Sequence, residues 1–193
     1  MTHHPIHHGL ACLAWLAGLA VVVALMASAP ARAQSCPGLR VVQSAAAAFN
    51  QAAANGSPQA FAAVVDRHAD VAQLAMFALG PYRRALPKAR RGEYVQLTRQ
   101  FIGRFLAQSA RSFAGARLQV VGCSSDSGYV YIDTRVAGQR VIWRLKGKRI
   151  IDMNVGGIWL LPQMRSNFVA VIRRGNGDPA ALLDYLRSGR TFG

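Results

Sequence analysis

The sequence has 193 residues and is strongly basic, with 23 Lys and Arg against 8 Asp and Glu and a formal net charge of +15. This length favours one domain with its own core over an array of domains. The charge attracts anionic partners, namely phospholipid headgroups, acidic proteins or nucleic acid, although a basic surface can also merely aid solubility.

The amino-terminal residues predict an export signal. Residues 10–27 form an almost uncharged apolar run, and Ala31-Arg32-Ala33 ends it with the small-x-small pattern of a cleavage site. The alternative is a permanent transmembrane anchor. Cleavage would leave residues 34–193 as a single domain exported to the periplasm. Export argues against nucleic acid as the physiological partner.

Export places the remaining cysteines in an oxidising compartment. Cys12 leaves with the leader, whereas Cys36 and Cys123 stay. The sequence therefore predicts a disulfide that ties the mature amino terminus to a strand of the sheet, with two free thiols as the alternative.

Helices are predicted in the first half of the exported chain. Residues 41–54 form an alanine-rich helix, Ser57 caps the next one, and Pro58 occupies its first position. Asp70 caps a short third helix that ends near Leu79.

The longest predicted helix spans residues 91–111 and carries a mostly apolar, partly aromatic stripe. Its members recur at three- and four-residue spacing and are Tyr94, Leu97, Thr98, Phe101, Ile102 and Phe105. Such a stripe is typical of ordinary core, and it can also line a binding pocket.

Four antiparallel strands follow, at 118–123, 129–136, 139–146 and 149–155. Apolar and polar residues alternate along these strands, so the sheet is expected to have an apolar face and a basic outer face that carries Arg135, Arg144 and Lys146. In the last strand Asp152 and Asn154 point away from Ile151, Met153 and Val155. Helices followed by a meander of strands predict an α+β fold.

The fourth strand is expected to pass through Gly156-Gly157 directly into an amphipathic helix. Leu161, Met164, Phe168 and Ile172 define the apolar side of that helix. A closing helix is predicted from Asp178-Pro179, a capping residue followed by proline at the first turn.

This last half of the sequence resembles the MlaC family, also called Ttg2D or toluene-tolerance proteins. The matching residues are Asp152, Gly157 and the run Arg165-Ser166-Asn167-Phe168. Leu79, Gly80 and Tyr82 match the family's Leu-Gly-x-Tyr segment. The family comprises periplasmic phospholipid carriers, and the resemblance implies a curved four-stranded sheet wrapped by helices, similar to the NTF2-like cone, with a deep apolar pocket between the layers.

The sequence offers no convincing catalytic or metal-binding group, so an enzyme, a metal and a cofactor are not expected. His68 is the single histidine left after leader removal, and Asp66 and Asp70 lie two residues from it, so they do not share its helix face. An NTF2-like enzyme remains an alternative on fold grounds, but it would need an acid–base pair in the cavity.

The resulting hypothesis is a soluble carrier that shuttles phospholipid between the inner and outer membranes. By resemblance, its partners are an inner-membrane ABC transporter with an MCE-domain ring and an outer-membrane lipoprotein. Arg165 is the candidate headgroup contact. A carrier of hopanoids or other polycyclic lipids, and a basic envelope adaptor that binds no lipid, are the alternatives. The candidate pocket residues are Leu79, Tyr82, Phe101, Phe105, Ile132, Trp143, Met153, Val155, Ile158, Leu161 and Phe168.

Overall fold

The structure is a computed structural model that describes residues 36–192. The predicted leader and the expected mature start at Gln34 lie outside the described residues. Within 36–192, no helix combines the length and the apolar character needed to cross a membrane.

Residues 36–192 form an α+β fold of six α-helices and five strands, which confirms the predicted class. The helices are α1 Leu39–Asn55, α2 Pro58–His68, α3 Val71–Ala78, α4 Arg91–Ser109, α5 Leu160–Arg174 and α6 Pro179–Arg187. The strands are β1 Leu118–Asp126, β2 Tyr129–Val136, β3 Gln139–Lys146, β4 Arg149–Val155 and β5 Ile158–Trp159. Short 3-10 turns lie at Gly80–Arg84, Lys88–Arg90 and Ala110–Ser112.

Side chains cap the three helices whose starts were predicted from capping residues. Ser57 Oγ accepts a hydrogen bond from the backbone N–H of Ala60 at 3.1 Å, and Asp70 Oδ1 accepts one from Gln73 at 2.9 Å. Asp178 Oδ1 does the same for Ala180 at 2.8 Å. Each bond satisfies one of the amides that the first turn of a helix leaves without a partner.

The sheet is an antiparallel meander in the order β1-β2-β3-β4-β5. The prediction of four strands was wrong, because Ile158 and Trp159 add a short fifth strand opposite Val155 and Asn154. Gly156 and Gly157 both have positive φ, at 58° and 91°. They therefore form a tight hairpin turn rather than a direct passage into a helix, and α5 begins only at Leu160.

The first strand is longer than predicted. It runs to Asp126, and Asp126 pairs with Tyr129 across a two-residue turn at Ser127 and Gly128. Residues 124–128, which the predicted strand limits place in a loop, are thus mostly strand. Ser124 and Ser125 have weak strand preference, but pairing with β2 supplies the backbone hydrogen bonds that stabilise them.

A bulge in β4 turns two successive residues toward the interior. Trp143 pairs with Met153 and Leu145 pairs with Ile150, so Ile151 is the extra residue. Ile150 and Ile151 are both buried. A bulge bends the strand that carries it, and here it adds apolar surface at the edge of the sheet nearest α2 and α5.

The buried side chains form three clusters. One joins α3, α4, α5 and α6 around Tyr94, Phe101 and Phe168. A second joins α1 to the sheet around Ile132 and Trp143. The third lies between α1, α2 and α4 around Phe61.

A disulfide joins Cys36 to Cys123, with 5.9 Å between their Cα atoms. It links the residue three positions before α1 to β1, as the sequence predicted. The bond therefore fixes the first helix against the sheet cluster, in which both cysteines pack.

Candidate functional site

Two apolar cavities lie between the helices and the sheet, bordered by residues of these clusters. The first has a volume of about 150 Å³ and is lined by residues of α1, α2, α4, β4 and α5. The second has a volume of about 200 Å³ and is lined mainly by α1, α4 and the sheet. Their common wall consists of Phe49, Phe105, Leu106, Met153 and Leu160.

The helix α4 contributes four large apolar side chains to the first cavity. Phe101, Ile102, Phe105 and Leu106 line the first cavity from successive turns. Gly103 allows α4 to approach α2 closely, because a Cβ built there would lie 2.5 Å from the backbone oxygen of Pro58. The close crossing of α2 and α4 thus sets the position of the α4 aromatic residues.

Trp143 presents only its apolar ring to the second cavity. Its indole N–H donates a hydrogen bond to Thr134 Oγ1 at 3.0 Å, and the Thr134 hydroxyl donates to the backbone oxygen of Val141 at 2.8 Å. Both side chains are buried. Because these polar groups are paired within the sheet, the cavity wall keeps a hydrocarbon character.

His68 is one of the few polar side chains that line the first cavity. It is 9% exposed, and its Nε2 atom has no hydrogen-bond partner. Burial lowers the pKa of the imidazole, and the charges of Arg67 and Arg149 lower it further. The neutral ring can donate or accept a hydrogen bond at this nitrogen.

Asp152, by contrast, is fully engaged within the protein. Its carboxylate accepts hydrogen bonds from the backbone amides of Met153 and Leu161, at 2.8 and 2.9 Å, and from Arg144 at 2.8 Å. Burial raises the pKa of this carboxyl, and the two amides and Arg144 act against that rise. Asp152 therefore joins β4 to the start of α5 and has a structural role.

The first cavity meets two polar residues of α5. Gln163 is exposed and Asn167 is half-buried, and both line the cavity. The Gln163 amide donates a 3.4 Å hydrogen bond to Asn167 Oδ1, one helical turn away. With His68 they give the cavity a polar edge between α2 and α5.

Six of the predicted pocket residues line a cavity. Phe101 and Leu161 line the first, Trp143 and Val155 line the second, and Phe105 and Met153 line both. The structure thus brings these side chains of α4, α5 and the sheet together around adjacent empty space.

The other five predicted pocket residues line neither cavity. Leu79, Ile132 and Phe168 are 0% exposed and belong to the solid core clusters. Tyr82 packs half-buried against the helical cluster, and Ile158 is 57% exposed in β5. Phe168 recurs at the same helical spacing as Leu161 and Met164, which line the first cavity, so spacing alone does not separate core from lining.

Arg165 lines neither of the two apolar cavities. Its guanidinium carbon lies 5.1 Å from the centre of the Phe77 ring, and the side chain also borders Gly80. It lines a surface groove that shares no residue with the first cavity.

Sequence reasoning missed several lining residues, above all Phe49, His68, Leu106, Leu160 and Phe192. Phe49 shares a helical spacing with Val42 and Ala45, which would have placed it on the buried side of α1. Phe192 follows the last helix and has no periodic context. It packs against Phe101 with 5.3 Å between the ring centres.

The described residues contain no group of three or more His, Cys, Asp or Glu side chains that could hold a metal ion. The polar edge of the first cavity holds one imidazole and two amides, and the one carboxylate in the lining, Asp152, is already paired. The arrangement suits the binding of a mostly apolar ligand with one polar end.

Comparison with known proteins gives a family and a fold. The model of the MlaC protein family matches residues 40–188. A phospholipid-binding protein from Ralstonia solanacearum, solved in complex with a phospholipid, has a similar structure with a TM-score of 0.67. It is 17% identical in sequence, and the match covers 79% of this chain and 96% of that one. No curated protein matches this chain.

Proposed function

Because the chain belongs to the MlaC family, we propose that it is a periplasmic carrier that binds one phospholipid between its helices and its sheet. The main structural support for this proposal is the pair of apolar cavities, which share a wall formed by residues of α1, α4, β4 and α5. Members of this family are lipid-binding carriers and not enzymes, and a protein of similar fold was solved with a phospholipid bound.

The driving force for cargo binding is the transfer of acyl chains out of water. Each buried methylene group contributes about 0.8 kcal/mol. The cavity walls contain Phe, Leu, Met and Trp side chains, which either have no polar atoms or have them paired within the protein. These side chains offer no hydrogen bonds to a ligand and need none from it. Hydrocarbon is therefore the group that fits them.

The cavity volumes set a condition on this binding. An apolar cavity of about 150 Å³ accommodates a molecule of the size of benzene. The two cavities together are therefore smaller than a diacyl lipid, and loading requires the shared wall to move. Displacement of the shared wall, which Phe49, Phe105, Leu106, Met153 and Leu160 form, would join the two cavities into one.

The polar edge of the first cavity is the proposed place of the glycerol and phosphate groups. His68 offers an unpartnered Nε2, and Asn167 and Gln163 offer amide groups at the surface. A headgroup contact of Arg165 remains a prediction from the sequence, and the described geometry favours the α2–α5 edge over the Arg165 face.

The proposed cellular role follows from the family. The exported chain would carry phospholipid between the two membranes as the soluble part of an ABC-type lipid transport system. Its partners would be an inner-membrane transporter with an MCE-domain ring and an outer-membrane lipoprotein. The net charge supports contact with anionic surfaces in that compartment.

Native mass spectrometry tests this function on full-length protein expressed with its leader and purified from the periplasm without detergent. The proposal predicts a mature chain that starts at Gln34 and carries one phospholipid. A polycyclic lipid in its place would favour a hopanoid carrier. A chain without any lipid would favour the adaptor and contradict the proposal.

A further inference from the structure

Six arginines line a surface formed by the 3-10 turn after α3, the start of α4 and the outer side of α5. Two adjoining surface grooves share Pro81 in their linings. We call this surface the arginine face, and its charged members are Arg83, Arg84, Arg91, Arg165, Arg173 and Arg174. A Cβ built on Gly80 would lie 3.0 Å from Arg165 Nε, so the two grooves meet at that side chain.

No carboxylate neutralises this face within residues 36–192. The ion pairs of these residues use Arg90, Arg99, Arg140, Arg144 and Arg187, none of which belongs to the arginine face. Asp70 and Asp178 cap helices. Unneutralised like charges repel one another in the free protein, so an anionic partner relieves repulsion as well as adding attraction.

The arginine face also exposes apolar groups. Phe77 is 40% exposed, although a large aromatic side chain usually lies inside, and Arg165 stacks over its ring. Pro81 and Pro162 are exposed beside it. Arginine binds phosphate oxygens through paired N–H groups, and an aromatic ring beside basic groups can enter the headgroup layer of a bilayer.

We infer that the arginine face docks this protein onto the surface of an anionic lipid bilayer. The inference goes beyond cargo binding, because no residue lines both this face and either apolar cavity. Docking places α5 between the bilayer and the first cavity, since α5 contributes residues to both surfaces.

The test is co-sedimentation of the full exported chain with vesicles of phosphatidylcholine and phosphatidylglycerol, and with vesicles of phosphatidylcholine alone. Wild type should bind the anionic vesicles, bind the neutral ones weakly, and dissociate as salt screens the charges. Each basic residue near an anionic membrane strengthens binding about fivefold, so Arg173→Gln with Arg174→Gln should weaken it about 30-fold.

The matched control removes the same charge elsewhere. Arg135 and Lys146 are exposed on the outer face of the sheet and form no ion pair, so Arg135→Gln with Lys146→Gln should leave vesicle binding nearly unchanged. Phe77→Ser should weaken binding without any change in charge. An equal loss in both double variants would show that net charge alone drives binding and would overturn the assignment to this face.

Other outcomes separate this inference from the proposed function. The Arg173→Gln, Arg174→Gln variant should retain its lipid cargo in native mass spectra. If wild type does not bind anionic vesicles but binds an acidic protein, membrane docking is overturned and the arginine face is assigned to a protein partner. Wild type that docks on anionic vesicles but carries no cargo would overturn the carrier and leave the docking face intact.

Discussion

Asp152 accepts a 2.9 Å hydrogen bond from the backbone amide of Leu161, nine residues later in the chain. The same oxygen accepts from Met153, and the other oxygen accepts from Arg144. One carboxylate thus joins β4, β3 and the first turn of α5. Since Leu161 lines the first cavity, this bond also positions the cavity wall.

Asp152→Asn should therefore destabilise the fold. The change removes the charge that pairs with Arg144 and places an amide nitrogen among donors, so we expect a loss of about 2–3 kcal/mol in the free energy of unfolding. The control is Asp133→Asn, whose carboxylate pairs with the exposed Arg140 and should contribute less than about 1 kcal/mol. Urea denaturation measures both, and equal losses would contradict the structural role of Asp152.

Gly103→Ala should weaken the crossing of α2 and α4. The new Cβ would lie 2.5 Å from the backbone oxygen of Pro58 and 3.0 Å from the Cβ of Ala62, so one helix must shift, at a cost of about 1–3 kcal/mol. Gly92→Ala in the first turn of the same helix meets no atom within 4 Å and should keep or raise stability. Thermal unfolding compares the two, and a Gly103→Ala protein as stable as wild type would contradict the close crossing.

The disulfide between Cys36 and Cys123 should contribute strongly to stability because it closes a long loop, with a sequence separation of 87. The chain-entropy model gives about 4–5 kcal/mol for such a loop. Denaturation with and without reductant measures this contribution, with the double variant Cys36→Ser, Cys123→Ser as the control that reductant should not affect. Free thiols in freshly exported wild type, found by peptide mapping without reductant, would contradict the prediction.

His68 should make stability depend on pH. Its folded-state pKa lies below the ordinary value of 6.5, because burial and the nearby Arg67 and Arg149 oppose the charged form. The unfolded state therefore binds more protons, and stability should fall as pH drops below 6.5. His68→Gln keeps a polar side chain without this titration and should show a smaller fall over that range, apart from the contribution of the carboxylates. An equal fall in melting temperature for wild type and His68→Gln as the pH drops below 6.5 would contradict the prediction.

Local signals in the sequence were sufficient for most of the fold. Capping residues such as Ser57 and Asp178 act through bonds to amides two or three residues away, and strand alternation reflects the pleat, so both are readable without knowledge of the tertiary structure. The fifth strand was missed because Ile158 and Trp159 form only two pairs with β4, and two residues carry no periodicity.

The cavity was only partly predictable, for a physical reason. Periodicity tells which side chains face inward, but an inward side chain either meets another side chain or borders empty space. Phe168 and Phe105 have equivalent spacing on their helices, yet Phe168 lies in the solid core and Phe105 lines both cavities. That difference depends on how α1, α4 and the sheet pack, and it is set by long-range geometry.

Arg165 illustrates the same limit for charged residues. Arg165 begins a run of four residues in α5 that is shared with the family, and this favoured a contact with the lipid headgroup. The structure instead places Arg165 over Phe77 of α3, in a surface groove that shares no residue with the first cavity. One helix therefore serves two surfaces, and the sequence alone does not separate them.

We expect the cavities to hold lipid, and the phospholipid-to-protein ratio of periplasmic protein purified without detergent measures this. The ratio should be about one phospholipid for each wild-type chain. Ala53→Leu, which extends a side chain into the second cavity, should lower this ratio while the delipidated protein melts at or above the wild-type temperature. The control is Ile132→Phe, which overpacks a fully buried site and should destabilise the protein by about 1–3 kcal/mol. This variant should melt at a lower temperature than wild type and keep its lipid ratio. Wild type without phospholipid, or Ala53→Leu with one phospholipid per chain, would show that these cavities are not the lipid-binding site.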